Sequence, residues 1–371
     1  MKRLIIITND YPSKDKIYAN AFIHSRTKYY IDKYKVFILV NDKIDSSYVL
    51  DGVNVIRFSN KNLLLSKLNE LNPDIIGIHF VRGWMYRPII KKYNIPIFIW
   101  VHGFEALSWH RRIGMIKQLY KIPPYIILNT FQLHMLHKII SYANKKNNIK
   151  FIFVSEWMKK ITETDAYIKV KNYSIIPNPI DIHQFKFIKK DPKLRKKILM
   201  IRPFGSRKYA TDIATEAILQ LSKLPLFSDL TFDIYGDGAH FDSDTKKIKM
   251  FSNVNLHKTF VPHDLIDKLH LNNGIFLCPT RQDAQGVSMC EAMASGLVVI
   301  TSNNTAIPEF VKHNTTGLLT NSVDDIVNSI IFLYNHPDKF LVISEQGSAD
   351  IIKLSGHNSV INKELDLFER S

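Results

Sequence analysis

The chain has 371 residues, more than one ordinary hydrophobic core accommodates, and this length suits two domains. Apolar residues make up 46% and charged residues 23%, a balance that excludes a disordered or fibrous protein. No apolar run approaches the roughly 18 residues of a membrane span, and the N-terminal run is too short for a signal peptide. Two cysteines, Cys278 and Cys290, exclude a disulfide scaffold and indicate no metal site, so we expect a cytoplasmic location.

The net charge of +16 is distributed unevenly. Up to Lys197 the chain has 35 Lys and Arg residues against 14 Asp and Glu, whereas the remainder has 15 against 20. This asymmetry predicts that the first half faces an anionic partner, either a membrane surface or a nucleic acid. A lysine-rich composition is the alternative explanation, but it should affect both halves alike.

Short apolar runs alternate with amphipathic stretches, which predicts an α/β protein with largely parallel sheets. In the first half, a stripe of apolar and aromatic residues predicts a helix over 19–32. The predicted strands of the first half span 4–8, 36–40, 53–58, 75–79, 97–102, 125–128 and 151–154.

The second half begins again with a strand and a helix, predicted over 198–202 and 209–223. Its other predicted strands span 231–235, 254–257, 275–278, 297–301 and 317–319. A basic stretch, 177–197, has the composition of an exposed linker. We therefore predict two domains, 1–187 and 188–356, with a C-terminal helix over 357–371 that packs back on the first. Ligands of such sheets bind at the carboxyl ends of the strands, so we expect a site in a cleft between the domains.

The most informative stretch is PTRQDAQGVSMCEAMASG, which follows the strand predicted over 275–278. A helix is predicted to begin near Gly286, and its first N–H groups form a typical phosphate or diphosphate site. Two carboxylates, Asp283 and Glu291, flank this site and suit sugar or ribose hydroxyls as hydrogen-bond acceptors. Alternatively, Asp283 favours the helix dipole and Glu291 faces solvent. The first N–H groups of this predicted helix, which would bind the phosphate, belong to Gly286, Val287 and Ser288.

Two further segments place polar side chains at strand ends. Arg202 ends one strand and Lys208 opens the following helix, so both could neutralise one diphosphate. The neighbouring Arg207 is an alternative to Lys208 as the second cation at the diphosphate. In the first half, His102 ends a buried strand and is followed by a glycine that opens space, which makes it a candidate for the catalytic site.

These motifs together resemble the donor site of the GT-B-fold retaining glycosyltransferases of family 4, the glycosyl transferases group 1. The resemblance implies two Rossmann-like doubly wound domains facing across a cleft. It also implies that Glu291 binds the ribose hydroxyls and that Arg202 and Lys208 hold the diphosphate. His102 and Asp283 would contact the donor sugar, although the family usually has Glu where this chain has Asp283.

The resemblance further implies a retaining, metal-independent hexosyltransferase that uses a nucleotide-sugar and no cofactor, and we favour a UDP-sugar over a GDP-sugar. We expect a lipid-linked or growing saccharide as acceptor, in the biosynthesis of bacterial capsule, lipopolysaccharide O-antigen or exopolysaccharide. The segment 109–122 has the pattern of an interfacial helix, which is also typical of a core-facing helix. With the basic first half, it favours peripheral attachment to the inner face of the cell membrane.

Two other functions are compatible with parts of the sequence. A nucleotide-sugar epimerase on a GT-B-like scaffold would share the donor motifs and would release nucleotide without an acceptor. A nucleic-acid-binding protein would also be basic, but it would leave the acid-flanked helix unexplained, and no nucleic-acid-binding motif is present. We therefore expect no nucleic acid among the partners.

Overall fold

The computed structural model describes residues 1–14, 16, 19–113 and 119–370. The chain forms two compact units, Met1–Pro179 with His357–Ser371, and Ile180–Gly356. The division falls after Pro179 rather than after residue 187. Ile180 belongs to the second unit because its N–H donates to the carbonyl of Ser355, at the end of the last helix of that unit.

The first unit is built on a mixed but mainly parallel sheet. Within the described residues its strands lie in the order β3-β4-β2-β1-β5-β6-β7-β8, and β3 alone runs antiparallel to its neighbour. The strands are β1 (Arg3–Thr8), β2 (Lys35–Asn41), β3 (Ser46–Leu50), β4 (Val53–Phe58), β5 (Ile75–His79), β6 (Ile97–Val101), β7 (Ile149–Phe153) and β8 (Tyr173–Ile175). The helices that connect them include α1 (Ala21–Tyr30), α2 (Lys61–Leu71), α3 (Ile122–Ala143) and α4 (Glu156–Asp165).

The second unit is built on a parallel sheet whose described strands lie in the order β11-β10-β9-β12-β13-β14. These strands are β9 (Lys197–Ile201), β10 (Thr231–Tyr235), β11 (Val254–His257), β12 (Ile275–Leu277), β13 (Val298–Ser302) and β14 (Leu318–Thr320). The helices are α5 (Thr211–Leu221), α6 (Phe241–Thr245), α7 (Ile266–Asn272), α8 (Val287–Ala294), α9 (Ile307–Phe310), α10 (Val323–Asn335) and α11 (Pro337–Ser355). The α/β prediction with two parallel-sheet domains is therefore confirmed.

The last helix, α12 (His357–Glu369), returns to the first unit. Val360, Ile361, Leu365 and Phe368 of α12 are buried in the same apolar core as the strands β1, β2 and β6. Burial of these four side chains fixes the helix against the sheet.

The predicted strand over 125–128 is wrong, because this apolar run lies inside α3. A short apolar run does not distinguish a buried strand from a helix by periodicity. Here a proline pair, Pro123 and Pro124, occupies the first turn of α3, where the missing N–H groups cost no hydrogen bond. In the predicted interfacial helix over 109–122, the described ends are 3₁₀ turns, Trp109–Arg111 and Leu119–Lys121. Its middle, including Ile116 and Lys117, lies outside the described residues.

The basic stretch predicted as an exposed linker is partly buried. Lys190 is 4% exposed, and its ammonium group donates to the carbonyl of His270 at 2.6 Å. Burial lowers the pKa of Lys190 to about 8. Among the helices of the described residues, none combines the length and the apolar character needed to cross a bilayer.

Candidate functional site

The candidate donor site lies at the carboxyl ends of β9 and β12, which are parallel neighbours in the second unit. Arg202 follows β9 directly and is 4% exposed. Its guanidinium donates to the carbonyl of Cys278 at 2.9 Å and lies 3.5 Å from the hydroxyl oxygen of Ser288. Within the described residues Arg202 makes no ion pair, so its positive charge is buried against neutral oxygens. A buried cation of this kind provides an electrostatic site for an anion.

Lys208 lies next to the same position. It is part of a 3₁₀ turn, Arg207–Tyr209, and its carbonyl accepts hydrogen bonds from the loop that follows β12. The ammonium nitrogen of Lys208 is 5.4 Å from the centre of the Tyr209 ring, and the guanidinium carbon of Arg202 is 5.8 Å from it. The structure therefore brings the two predicted cations to one aromatic ring.

Arg207, the alternative second cation, is occupied elsewhere. Its guanidinium lies 2.8 and 2.9 Å from the two carboxylate oxygens of Asp244, and a second carboxylate, Asp212, is 3.7 Å away. Lys208 has no ion-pair partner in the described part of the chain. This contrast favours Lys208 over Arg207 as the cation available to a ligand.

The turn before α8 is shaped by Gly286, which is the N-cap residue and has a φ of 80°. A side chain is disfavoured in this left-handed conformation. The N–H of Gly286 donates to Asp283 Oδ1 at 3.1 Å. The prediction that this N–H faces a ligand is therefore wrong. The next two N–H groups, of Val287 and Ser288, have no acceptor within the described residues, as the geometry of a helix N-terminus requires.

Asp283 is held firmly in the loop before α8. Its own N–H donates to the Thr305 hydroxyl at 3.1 Å, and its carbonyl accepts from Ala306 at 3.3 Å. One carboxylate oxygen, Oδ1, therefore stabilises the turn by accepting the N–H of Gly286. The other carboxylate oxygen makes no hydrogen bond to the described residues and can accept one from a ligand.

Glu291 lies one turn into α8, and its side chain is 13% exposed. Its Oε1 is 3.4 Å from Nε2 of His263, which lies in the 3₁₀ turn His263–Leu265. The sequence analysis did not single out His263. A residue that is 28 positions away from its partner and carries no motif gives no local signal.

His102, the candidate residue of the first unit, lies just beyond β6 and pairs with a second histidine. His79 ends the neighbouring strand β5, and its Nδ1 is 2.8 Å from Nε2 of His102. The His79 ring also stacks on Trp100, with ring centres 4.6 Å apart. A buried carboxylate, Glu105, accepts the N–H of His102 at 2.6 Å and holds the loop after β6. Neither His79 nor Glu105 was predicted. The role of His79 follows from strand pairing, whereas Glu105 lies three positions after His102 and belongs to no motif that the sequence suggested.

Burial keeps both histidines neutral. It lowers the pKa of His79 and of His102 well below the usual 6.5, and the nearby Arg26 lowers both further. Nδ1 of His102 is buried and has no hydrogen-bond partner in the described residues. A neutral imidazole with one unengaged nitrogen can donate to or accept from a sugar hydroxyl, according to its tautomer.

We expect the free energy of unfolding to fall as the pH decreases below about 6.5, because the unfolded chain then binds protons that the folded histidine pair does not. Each histidine contributes up to about 1.4 kcal/mol per pH unit. Urea unfolding of the wild type and of His79→Gln between neutral and mildly acidic pH measures this slope. The variant should show the shallower dependence, and His110→Gln, at an exposed position, serves as control. Equal slopes for wild type and His79→Gln would contradict the assignment.

No group of three or more His, Cys, Asp or Glu side chains in the described residues has a geometry that could hold a metal ion. The segment Asp242-Ser243-Asp244 has the Asp-x-Asp pattern of metal-dependent transferases, but both of its carboxylates form ion pairs. Asp244 binds Arg207, and Asp242 binds Lys258 at 2.7 Å.

Comparisons with known proteins bear on the family and on the fold. The family model described as glycosyl transferases group 1 matches residues 181–349. The chain is 24% identical over 325 residues to the Escherichia coli UDP-Gal:alpha-D-GlcNAc-diphosphoundecaprenol alpha-1,3-galactosyltransferase, covering 82% of this chain and 77% of that protein.

Among solved structures, the chain is similar to sucrose-phosphate synthase from Thermosynechococcus elongatus, with a TM-score of 0.75, 12% identity and coverage of 100% and 99% of the two chains. It is also similar to HepE from Anabaena in complex with UDP and glucose, with a TM-score of 0.71, 14% identity and full coverage of both chains. The fold and the family match define a glycosyltransferase of the GT-B fold. More particularly, the match to the glycosyl transferases group 1 lies within the second unit of this chain.

Proposed function

We propose that the second unit binds a nucleotide-sugar and that the enzyme transfers its hexose, with retention and without a metal ion, to a lipid-linked or growing saccharide. The observation that carries this proposal is the pairing of Arg202 and Lys208 around Tyr209, beside the unengaged N–H groups of α8. In this proposal these groups bind the diphosphate, which gains negative charge as its bond to the sugar breaks. Because two cations and amide groups can balance that charge, the chemistry needs no metal at this position.

The other predicted residues then have separate tasks. Glu291 would accept hydrogen bonds from ribose hydroxyls, and His263 beside it would limit how its carboxylate can turn. The unengaged oxygen of Asp283 would accept from a hydroxyl of the donor sugar. His102, the candidate residue of the first unit, keeps the role that the resemblance implies for it, a contact with the donor sugar. These roles come from the family resemblance, and the contacts described above are compatible with each.

We favour UDP over GDP and a polyprenyl-linked acceptor. The Escherichia coli relative is named for UDP-Gal and for an acceptor on diphosphoundecaprenol, and the HepE structure contains UDP and glucose. An acceptor of this kind resides in a membrane, which agrees with the excess of basic residues before Lys197. We therefore place the enzyme in bacterial surface polysaccharide biosynthesis, acting from the cytoplasmic face of the membrane.

Thermal shift with UDP, GDP and their sugar conjugates tests the donor site. At a UDP concentration 100 times Kd the folded chain gains about 2.7 kcal/mol. For a domain of this size, that gain raises Tm by about 5–10 °C. Glu291→Ala removes a charge-assisted acceptor and should weaken UDP binding about 10–100-fold.

The thermal shift, an assay of product release without an acceptor and a DNA-retention assay together separate the alternatives. An absence of any shift with UDP and GDP would overturn the proposed donor site. Release of UDP or isomerised sugar without an acceptor would favour an epimerase. Salt-sensitive retention on DNA without nucleotide binding would favour a nucleic-acid-binding protein. Asp233→Ala, a change of acidic residue on β10 in the same unit, is the matched control for Glu291→Ala and should bind UDP as the wild type does.

A further inference from the structure

The first half of α3 presents an apolar face to solvent. Ile127, Leu128 and Phe131 are 68%, 69% and 61% exposed, and we call these three residues the α3 patch. Their spacing of three and four positions places them on one side of the helix. Tyr120, in the turn before α3, is 74% exposed, and its ring centre lies 5.7 Å from the ammonium nitrogen of Lys121. Large apolar side chains clustered in this way on a protein surface mark an interaction site.

The helix that carries the patch is itself firmly packed. On the opposite side of α3, the amide group of Asn129 donates to the carbonyl of Leu107 at 2.9 Å, and that of Gln132 donates to the carbonyl of Val81 at 2.9 Å. Leu136 is fully buried one turn further on. The patch is therefore exposed because of the orientation of a fixed helix, not because the helix lacks a place in the core.

The segment of the sequence that carries the patch is strongly basic. Between residues 75 and 155 the sequence contains twelve Lys and Arg residues and a single acidic residue, Glu105, which is fully buried. The ring of Phe131 lies beside Gly83, next to Arg82. The guanidinium groups of Arg82 and Arg112 lie 5.1 and 4.9 Å from the ring of Phe104, which is itself 45% exposed. Two guanidinium groups thus flank the exposed ring of Phe104, and one of them, that of Arg82, belongs to the residue before the glycine that Phe131 contacts.

This combination distinguishes between possible partners. A nucleic acid would use the basic residues but would leave three aliphatic and aromatic side chains of a helix in water. A bilayer that contains anionic phospholipid satisfies both features, because basic residues bind the headgroups while apolar side chains enter the region of the acyl chains. Exposed aromatic residues such as Tyr120 are typical of that boundary.

We propose that the α3 patch is the membrane-docking face of the enzyme, which inserts Ile127, Leu128 and Phe131 into a bilayer of anionic phospholipid. The proposal rests on the proposed function in one respect, since a lipid-linked acceptor is the reason for the enzyme to bind a membrane. The α3 patch itself is defined by residues that do not belong to the donor site. The proposal differs from attachment by charge alone, because the bound state then depends on three apolar side chains.

Co-sedimentation of the full chain with vesicles tests this inference. We expect binding to vesicles of phosphatidylcholine and phosphatidylglycerol, with little binding to phosphatidylcholine alone. The double variant Ile127→Ser/Leu128→Ser should reduce partitioning at least about tenfold. The matched control is Val342→Ser, since Val342 is an aliphatic residue that is 60% exposed on α11. A dye on Leu128→Cys should shift its emission to the blue when the vesicles are added.

Wild-type binding by the double variant, or an unshifted dye on bound protein, would overturn the proposal. Self-association of the wild type that the double variant abolishes, without vesicle binding, would assign the patch to a second copy of the chain and would also overturn it. The UDP thermal shift separates the two proposals. A chain that responds to UDP but not to vesicles refutes docking only, and a chain that docks through the patch but ignores nucleotides refutes the proposed function only.

Discussion

Replacement of Lys208 by alanine should lower kcat by about 100–1,000-fold, the usual cost of removing one group that stabilises charge in a transition state. The structure gives the ammonium group of Lys208 no carboxylate partner within the described residues and places it near the ring of Tyr209, which Arg202 also approaches. No ion pair is lost when Lys208 is removed, so Tm should stay close to that of the wild type. Single-turnover assays with the donor sugar and a soluble acceptor measure the effect on the chemical step.

Arg207→Ala is the matched control, because it removes a neighbouring cation from the same 3₁₀ turn. Arg207 binds Asp244, whose side chain is only 3% exposed. Its loss leaves a nearly buried carboxylate with one fewer donor, although Thr211 still donates to Asp244 at 2.6 Å. We expect a destabilisation of about 1–3 kcal/mol with kcat within a few-fold of the wild type. If Arg207→Ala lost activity and Lys208→Ala kept it, the assignment of the diphosphate cation would be reversed.

This pair of adjacent cations shows what the sequence can predict and what it cannot. The strand end at Arg202 and a helix start near Lys208 were predicted from hydrophobic periodicity and helix start signals, which are local, although α5 begins only at Thr211, after the 3₁₀ turn that contains Lys208. The choice between Arg207 and Lys208 depends on Asp244, which is 37 residues away from Arg207 and reaches it only in the folded second unit. No local pattern contains that contact.

The same distinction applies to the other residues of the site. A helix was predicted to begin near Gly286, and α8 begins at Val287 with Gly286 as its N-cap residue. Its N–H was expected to face a ligand, but the carboxylate of Asp283, three positions earlier, accepts it. His79 and His102 are brought together because β5 and β6 are parallel neighbours, with His79 in register with Trp100. Strand order is a property of the whole sheet, so the pairing was not visible in either strand.

The buried ionic network of the first unit is another contact of this long-range kind. Glu364 of α12 is fully buried and accepts hydrogen bonds from the hydroxyl of Tyr30 and from the indole N–H of Trp100. Its Oε1 is also 3.5 Å from Nε of Arg26, a fully buried cation that donates to the side-chain oxygen of Asn178 at 3.0 Å. One carboxylate from the C-terminal helix therefore balances the charge of a guanidinium in the core.

Glu364→Ala should destabilise the protein by about 3–5 kcal/mol, because it leaves the buried charge of Arg26 uncompensated and removes the acceptor of two buried donors. Urea unfolding measures the change. Glu369→Ala, on the same helix, removes only an exposed ion pair with Lys33 and should leave the midpoint nearly unchanged. A small effect of Glu364→Ala would show that water or a rearranged core compensates Arg26.

The network also approaches the candidate catalytic histidine. Trp100, which donates to Glu364, stacks on His79, and His79 holds His102 by a hydrogen bond of 2.8 Å. Glu364→Gln keeps an acceptor for the indole but removes the negative charge, so its stability should lie between those of the wild type and Glu364→Ala. If Trp100 fixes the histidine pair, Glu364→Ala should lower kcat even at low temperature, where the variant is fully folded. Wild-type kcat in a folded Glu364→Ala protein would restrict the network to a structural role.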